Sequence, residues 1–323
     1  MKFSPKVFGA SLLAATLLLS NSLSWAYPDK VINWVVPYSP GGSADVVSRV
    51  LTNRLAEKMH ATFVVNNKPG ASALIGEEYV ARAAGDGYTL LYDAFALATN
   101  PALMKDGRVK PETDFVPITQ IVNMWSILVV PENAPYRTFA EFLDYARKNP
   151  GKLNIGVSAG SAGYLASELL KSVASINLVT VPYKGGAPAV QATVAGDVSV
   201  YFATAGSGMP FIKSGQLRPI AVAAPKRMAA LPDVPTLTEL GYPDLVVSEW
   251  AGLFAPKGTP DDVVQLLNKE IRAVLAEPKI QEQLVDKLGI ELVSNSPQEF
   301  SAFVKGEITR WGDLIKKLNI TVN

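Results

Sequence analysis

The feature that most constrains the fold of this chain is a strand–turn–helix alternation that runs through it twice. Residues 31–37 are a short apolar run with β-branched members, which predicts a buried strand. In residues 44–59, Val47, Leu51, Leu55 and Met59 recur at i, i+4 spacing, which predicts an amphipathic helix. A strand over 62–65, a helix over 74–84 and strands over 89–92, 116–121 and 126–130 follow. A helix over 139–148 is then stopped by Asn149-Pro150-Gly151. The second alternation predicts strands over 153–157, 179–182, 198–202 and 219–223, with helices over 164–173 and 188–194. The tail reads as three helices, over 261–276, 278–288 and 297–318. Such alternation implies parallel sheets covered by helices. With 323 residues, two domains are favoured over one. The chain has 0 cysteines, so buried apolar area must hold it, and a hydrophobic fraction of 48% is in keeping with that.

The N-terminus predicts export. Lys2 and Lys6 precede an apolar stretch of 7–19, and Ser24-Trp25-Ala26 forms a small-x-small cleavage site, so residues 1–26 are expected to be a signal peptide. The apolar stretch is short of the ~20 residues that a spanning helix needs. The whole chain carries 30 basic and 29 acidic residues, and removing 1–26 leaves 28 against 29. No global positive field draws in a polyanion, so a nucleic-acid partner is not expected. An anionic ligand would have to be held by local dipoles.

Two turns have the make-up for that. Between the first strand and first helix lie Tyr38, Ser39, Pro40, Gly41, Gly42, Ser43 and Asp45. Adjacent glycines let the backbone approach a ligand, Ser43 is placed to cap the helix, and free N–H groups with the helix dipole make an anion site. The turn also lies at a strand's carboxyl end, where ligands bind in open α/β sheets. The same turn is equally read as an ordinary tight turn in which Asp45 complements the dipole. Ser158, Gly160, Ser161 and Gly163 repeat the device in the second half. One such turn is weak; one per half suggests a ligand gripped from two sides. Neither matches a nucleotide-binding spacing.

One catalytic motif competes with this reading. Gly156-Val157-Ser158-Ala159-Gly160 fits the Gly-x-Ser-x-Gly nucleophile elbow, which makes a serine hydrolase using Ser158 the alternative function. The single histidine, His60, precedes Ser158, whereas in hydrolases of that fold the base follows the nucleophile. With one histidine and no cysteine, a metal would need carboxylates alone, and Glu77-Glu78 read as a solvated helix face. No catalytic residue, metal or cofactor is expected.

The motifs carry a family resemblance. Val35-Val36-Pro37-Tyr38 with Gly41-Gly42-Ser43-Ala44-Asp45, then Asn67-Lys68-Pro69-Gly70-Ala71, Asp86-Gly87-Tyr88-Thr89-Leu90, Val181-Pro182-Tyr183-Lys184-Gly185-Gly186, Leu231-Pro232-Asp233-Val234-Pro235-Thr236 and Ala255-Pro256-Lys257-Gly258-Thr259-Pro260 occur in this order. Together they resemble the extracytoplasmic solute receptors of tripartite tricarboxylate transporters, the Bug family. The resemblance implies a periplasmic-binding-protein-like α/β fold, with two lobes that each hold a mixed, mostly parallel sheet flanked by helices. It implies residues 27–124 and 224–323 as one lobe and 125–223 as the other. The 37–45 turn would then hold a carboxylate, partly through ordered waters, in the interlobe cleft. It further implies a monomeric periplasmic receptor, a small carboxylate as ligand, and membrane permease subunits as partners; a sensor kinase is the alternative partner. Pro40 departs from the family pattern by removing one donor N–H.

Tyr164 and Tyr183 can contact the ligand body or pack in the core, and Thr204 can supply a hydroxyl. Phe95 can line the pocket, although packing suits it better. Trp250 is expected to pack near the return crossover. Lys184 and Arg49 are the obvious partners for a second acid group.

Overall fold

The structure is a computed structural model that describes residues 27–104, 107–158, 161–183, 185–286 and 290–320. The expected signal peptide, Gly160 and Lys184 lie outside the described residues. In chain order the elements are β1 (Ile32–Val36), α1 (Ser43–Met59), β2 (Phe63–Asn67), α2 (Leu74–Ala81), β3 (Thr89–Ala94), α3 (Ala96–Leu103), α4 (Pro111–Asp114) and β4 (Phe115–Pro131). Next come α5 (Phe139–Lys148), β5 (Asn154–Ser158), α6 (Ala162–Val173), β6 (Val179–Tyr183), α7 (Gly186–Ala195), β7 (Val200–Thr204), α8 (Ala205–Lys213) and β8 (Leu217–Val222). The chain finishes with β9 (Ser248–Pro256), α9 (Asp261–Leu275), α10 (Pro278–Gln281), β10 (Glu291–Leu292) and α11 (Pro297–Lys317).

The strands form two sheets that share β4. The first runs β2-β1-β3-β9-β4, with β10 on the far side of β4. The second runs β6-β5-β7-β4-β8. Residues Phe115 to Trp125 of β4 pair with β9, while Ser126 to Pro131 pair with β7 and β8. Sequence periodicity predicts two strands here, over 116–121 and 126–130. They are one, because the intervening Asn123, Met124 and Trp125 are held extended by Trp250, Glu249 and Ser248 of β9. The β1–β2, β1–β3, β5–β6 and β5–β7 ladders are parallel, and β4 and β9 bring the antiparallel ones that make each sheet mixed.

The chain returns to the first sheet beside its outward path. Ala223 N–H donates to Ser126 O at 2.8 Å and Val247 N–H donates to Ala223 O at 3.0 Å, after which β9 begins. Periodicity does not reveal β9, whose polar start and Ala251-Gly252 centre break any alternation. Gly252 is needed there. A Cβ would stand 2.2 Å from Phe300 Cζ and 2.8 Å from Thr119 O.

Three apolar clusters form the core. One joins Ile32, Trp34, Val47, Leu51 and Leu55 under α1 and α9. A second lies under α7 and α8, with Ile127, Val190 and Tyr201. The largest is continuous across both sheets, from Phe95, Trp250, Phe300 and Trp311 to Phe142, Ile155 and Phe202. The indole N–H groups of Trp250 and Trp311 both donate to Glu307 Oε2, at 2.9 and 2.8 Å, which gives two buried donors a common charged acceptor.

Candidate functional site

The β1–α1 turn is built around Asp45. Gly41 takes φ +80°, a conformation that suits glycine, and its N–H donates to Asp45 Oδ2 at 2.9 Å. Arg49 donates to the same oxygen through Nε at 3.0 Å and forms an ion pair with Oδ1 at 2.9 Å. Asn67, at the end of β2, donates to Asp45 Oδ1 at 3.0 Å and to Tyr38 O at 3.1 Å. The Arg49 hydrogen bond, with those from Gly41 and Asn67, outweighs burial and holds the Asp45 carboxyl at about 2, below the usual carboxylate range. Asp45 therefore locks the turn, with both carboxylate oxygens engaged by Gly41, Arg49 and Asn67. Arg49 is engaged with Asp45 and Asn67, so it is not a spare cation for a second acid group.

The expectation that Ser43 caps α1 does not hold. Ser43 is the first helical residue, and Gly42 occupies the cap position, which a glycine fills without a side-chain acceptor. Gly42 N–H turns back to Ser39 O at 3.5 Å, and the first helical bond runs from Val46 N–H to Gly42 O. The N–H groups of Ser43, Ala44 and Asp45 find no acceptor among the described residues. Ser39, Gly41, Gly42 and Ser43 are all exposed. The positive end of a 17-residue helix is thus left open to solvent.

Beneath this turn lies a group of buried acids. The half-buried Tyr38 donates its hydroxyl to Asp93 Oδ1 at 2.9 Å, and Ala94 N–H donates to the same oxygen at 2.7 Å. Glu77 is fully buried and accepts from Asn100 Nδ2 at 2.8 Å, so the reading of Glu77-Glu78 as a solvated face is corrected for Glu77. Glu77 Oε2 and Asp93 Oδ2 have no other partner among the described residues, and the two carboxyls interact directly. Burial and the neighbouring Asp93 push Glu77 well up, so this pair retains a proton that water would remove.

The second helix start differs from the first. Ser161 caps α6, accepting from Tyr164 N–H at 3.2 Å and donating its hydroxyl to Ser158 O at 2.8 Å. A Cβ at Gly163 would meet Phe202 O at 3.2 Å, so glycine lets α6 start close against β7. Ala162 N–H is taken by Glu249 Oε2 at 3.0 Å. Glu249 is carried on β9, the return strand, and reaches across from the first sheet. Burial pushes its carboxyl up to about 7, the Ala162 N–H opposes this, and the Asp93 charge adds to it. Its charge also bears on Tyr38 and on Tyr201.

Of the remaining expected residues, Ser158, Tyr183 and Thr204 end β5, β6 and β7 and so share one edge of the second sheet. Thr204 Oγ1 is 2.9 Å from Ser207 Oγ. Tyr164 is half-buried against the largest core cluster, and Tyr183 packs against the α7–α8 cluster. Phe95 is fully buried edge-on to Trp311, with ring centroids 5.1 Å apart. Trp250 is fully buried on β9. His60 ends α1 in the left-handed region, ~25 Å along the helix from the turn. Sequence reasoning missed Asn67, Asp93 and Glu249. Only Asp93 left a signal, an acid at the carboxyl end of an apolar strand. A separate cavity of about 910 Å³ opens on the β10 side of β4, among Trp125, Met209, Met228 and Leu292, and holds none of the expected site residues.

Residues 47–320 match the family model described as "Tripartite tricarboxylate transporter family receptor". This chain belongs to that family. Protein BugT of Bordetella pertussis is 33% identical over 296 residues, covering 90% of each chain. The solved structure of R. palustris Rpa4515 with adipate is 33% identical and superposes with a TM-score of 0.82, covering 92% of this chain and 100% of that one. MatC from Rhodopseudomonas palustris with bound malate is 30% identical, with a TM-score of 0.79 over 90% of this chain and 100% of that one. The protein is accordingly a solute-binding receptor and not an enzyme, and the Ser158 hydrolase reading falls. Ser158 shares the elbow string because both arrangements need a tight turn from strand to helix.

Proposed function

We propose that this protein is an exported periplasmic receptor that takes one carboxylate of a small organic acid onto the open start of α1 and closes its second lobe over it. The observation that carries this reading is the set of three free N–H groups at Ser43, Ala44 and Asp45, on a turn whose shape is fixed in advance by Asp45, Arg49 and Asn67. A carboxylate there would gain charge-assisted hydrogen bonds, each worth about 1.5–3 kcal/mol, and little ordering of the turn would be needed. Tyr38, Ser39, Gly41, Gly42 and Ser43 form this subsite. Ser158, Ser161, Gly163, Tyr164, Tyr183 and Thr204 are the residues of the second lobe that face it.

The expected division is 27–124 with 224–323 against 125–223, and we propose one change to it, at 224–247. Because 224–247 is bonded to the second sheet through Val247 and Leu237, that segment travels with the second lobe and the working hinge lies at Val247-Ser248 and Trp125-Ser126. Closure follows the hinge mode of two-lobed receptors. The adipate and malate bound by relatives support an acid ligand, and the family's transporter supports membrane permease subunits as the partner of a monomeric receptor. The N-terminal sequence supports cleavage after Ala26 and delivery to the periplasm.

Mass spectrometry of the protein purified from its own periplasm, first native and then denatured, tests the reading. A released small acid at one per chain is the expected result. A released neutral or cationic metabolite at the same stoichiometry contradicts it.

A further inference from the structure

The two helix starts invite a ligand with a carboxylate at each end, but they are not equally open: among the described residues the first three amides of α1 all lack an acceptor, whereas at α6 only Gly163 N–H does. The amides at the head of α1 are free. At the head of α6, Ser161 serves Tyr164 N–H and the protein's own Glu249 carboxylate takes Ala162 N–H at 3.0 Å. The acids around this point reinforce the asymmetry. Asp93 from β3, Glu77 from α2 and Glu249 from β9 form one acidic group, with the hydroxyls of Tyr38 from the turn and Tyr201 from β7 within its field. On α6 itself the titratable side chains are Tyr164, Glu168 and Lys171, of which Tyr164 lies in the first turn. Arg49 is spent on Asp45, and no lysine or arginine among the described residues offsets Glu249.

Resting on the receptor reading above, we infer that Glu249 sets ligand class: the cleft takes a monocarboxylate whose far end is an ammonium or a neutral hydrogen-bond donor, and it discriminates against a second carboxylate. The ligand acid sits on α1, and its far end meets an acceptor already fixed on α6. A diacid would set a carboxylate against Glu249, and like charges so placed disfavour binding. It can enter only if a proton comes with it. Because burial already pushes the Glu249 carboxyl up to about 7, that proton is easily held in acid and is lost in base.

The test uses the chain from residue 27 onward and isothermal titration with matched sets of four to eight carbons: the α,ω-diacid, its monoamide and the ω-amino acid. At pH 8.5, for the length that fits, the amide or amino member binds at least ~10-fold tighter than the diacid. Glu249→Gln keeps an acceptor for Ala162 N–H, so at pH 8.5 the variant folds and melts no lower than wild type, and it brings the two affinities within about threefold by relieving the repulsion. In the wild-type protein the gap narrows at pH 5.5; in Glu249→Gln it does not change with pH. The inference is overturned if the diacid binds as tightly as its partners at pH 8.5, or if Glu249→Gln leaves the ratio as it was. If no acid in any set binds, the receptor reading fails and this inference fails with it. If acids bind without discrimination, only the inference fails.

Discussion

Replacing Asp45 by alanine tests whether the α1 turn is shaped in advance. The side chain is 5% exposed and accepts from Gly41 N–H, Arg49 and Asn67. Its carboxyl is held at about 2, against 3.8 for an unstrained aspartate. At ~1.36 kcal/mol per unit, that difference is roughly 2–3 kcal/mol of stability. Part of it comes from Arg49, which is half exposed and screened by salt, so we expect about 2 kcal/mol at low ionic strength. The sign is fixed by linkage. A folded value below the unfolded one stabilises fully above pH 3.8, and the gain is lost as pH falls through 2. Urea unfolding followed by tryptophan fluorescence should therefore find Asp45→Ala about 2 kcal/mol less stable than wild type at pH 7, with a smaller gap at pH 3. A gap below about 0.5 kcal/mol at pH 7, within the range of an ordinary surface substitution, would refute the reasoning. A gap that does not shrink at pH 3 would do so as well.

Glu249, Glu77 and Asp93 act in the opposite direction. Their folded values lie above the unfolded ones, so their contribution is present in acid and is lost as pH rises; for Glu249 the loss runs from about pH 4.5 through 7 and amounts to at most about 3 kcal/mol. The ligand-free protein should thus melt at a higher temperature at pH 5 than at pH 8, and Glu249→Gln should flatten that slope, as calorimetry across the range would record. Gly252→Ala should cost about 1–3 kcal/mol or more by urea unfolding, since its Cβ meets Phe300 and the Thr119 backbone; a neutral result would mean that β9 and α11 give way more easily than their packing suggests. Glu307→Ala should cost about 2–4 kcal/mol by leaving two buried indole N–H groups without an acceptor, and Glu307→Gln should recover part of it.

Much of the fold was legible because the outer strands and helices obey their periods. The 139–148 helix lies at its expected bounds because Thr138 caps it and Asn149-Pro150-Gly151 stops it. The elements that escaped are those where tertiary contacts override local pattern. β9 runs through Ala251-Gly252, α3 holds Pro101, and α8 holds Gly206, Gly208 and Pro210. The site was legible to the same degree. The Gly41-Gly42 turn announced itself by its glycines and its place after a strand. Its lock, Asn67, comes from a different strand, and Glu249 arrives from a crossover some 90 residues after the helix that it meets. No local pattern encodes such a meeting. Ser43 misled for a related reason: a serine after glycines reads as a cap until the neighbouring elements are in place.

The central claim is that the open start of α1 holds a carboxylate. A thermal-shift screen of the chain from residue 27 onward, with small acids each matched to its fully neutral amide, tests it most directly. At about 100 times its dissociation constant, a true ligand adds roughly 2.7 kcal/mol. At roughly 2–4 °C per kcal/mol, that is a rise of about 5–10 °C. The account predicts such a rise with at least one acid and none with its amide. Equal rises with acid and amide, or a rise with the amide alone, would contradict it.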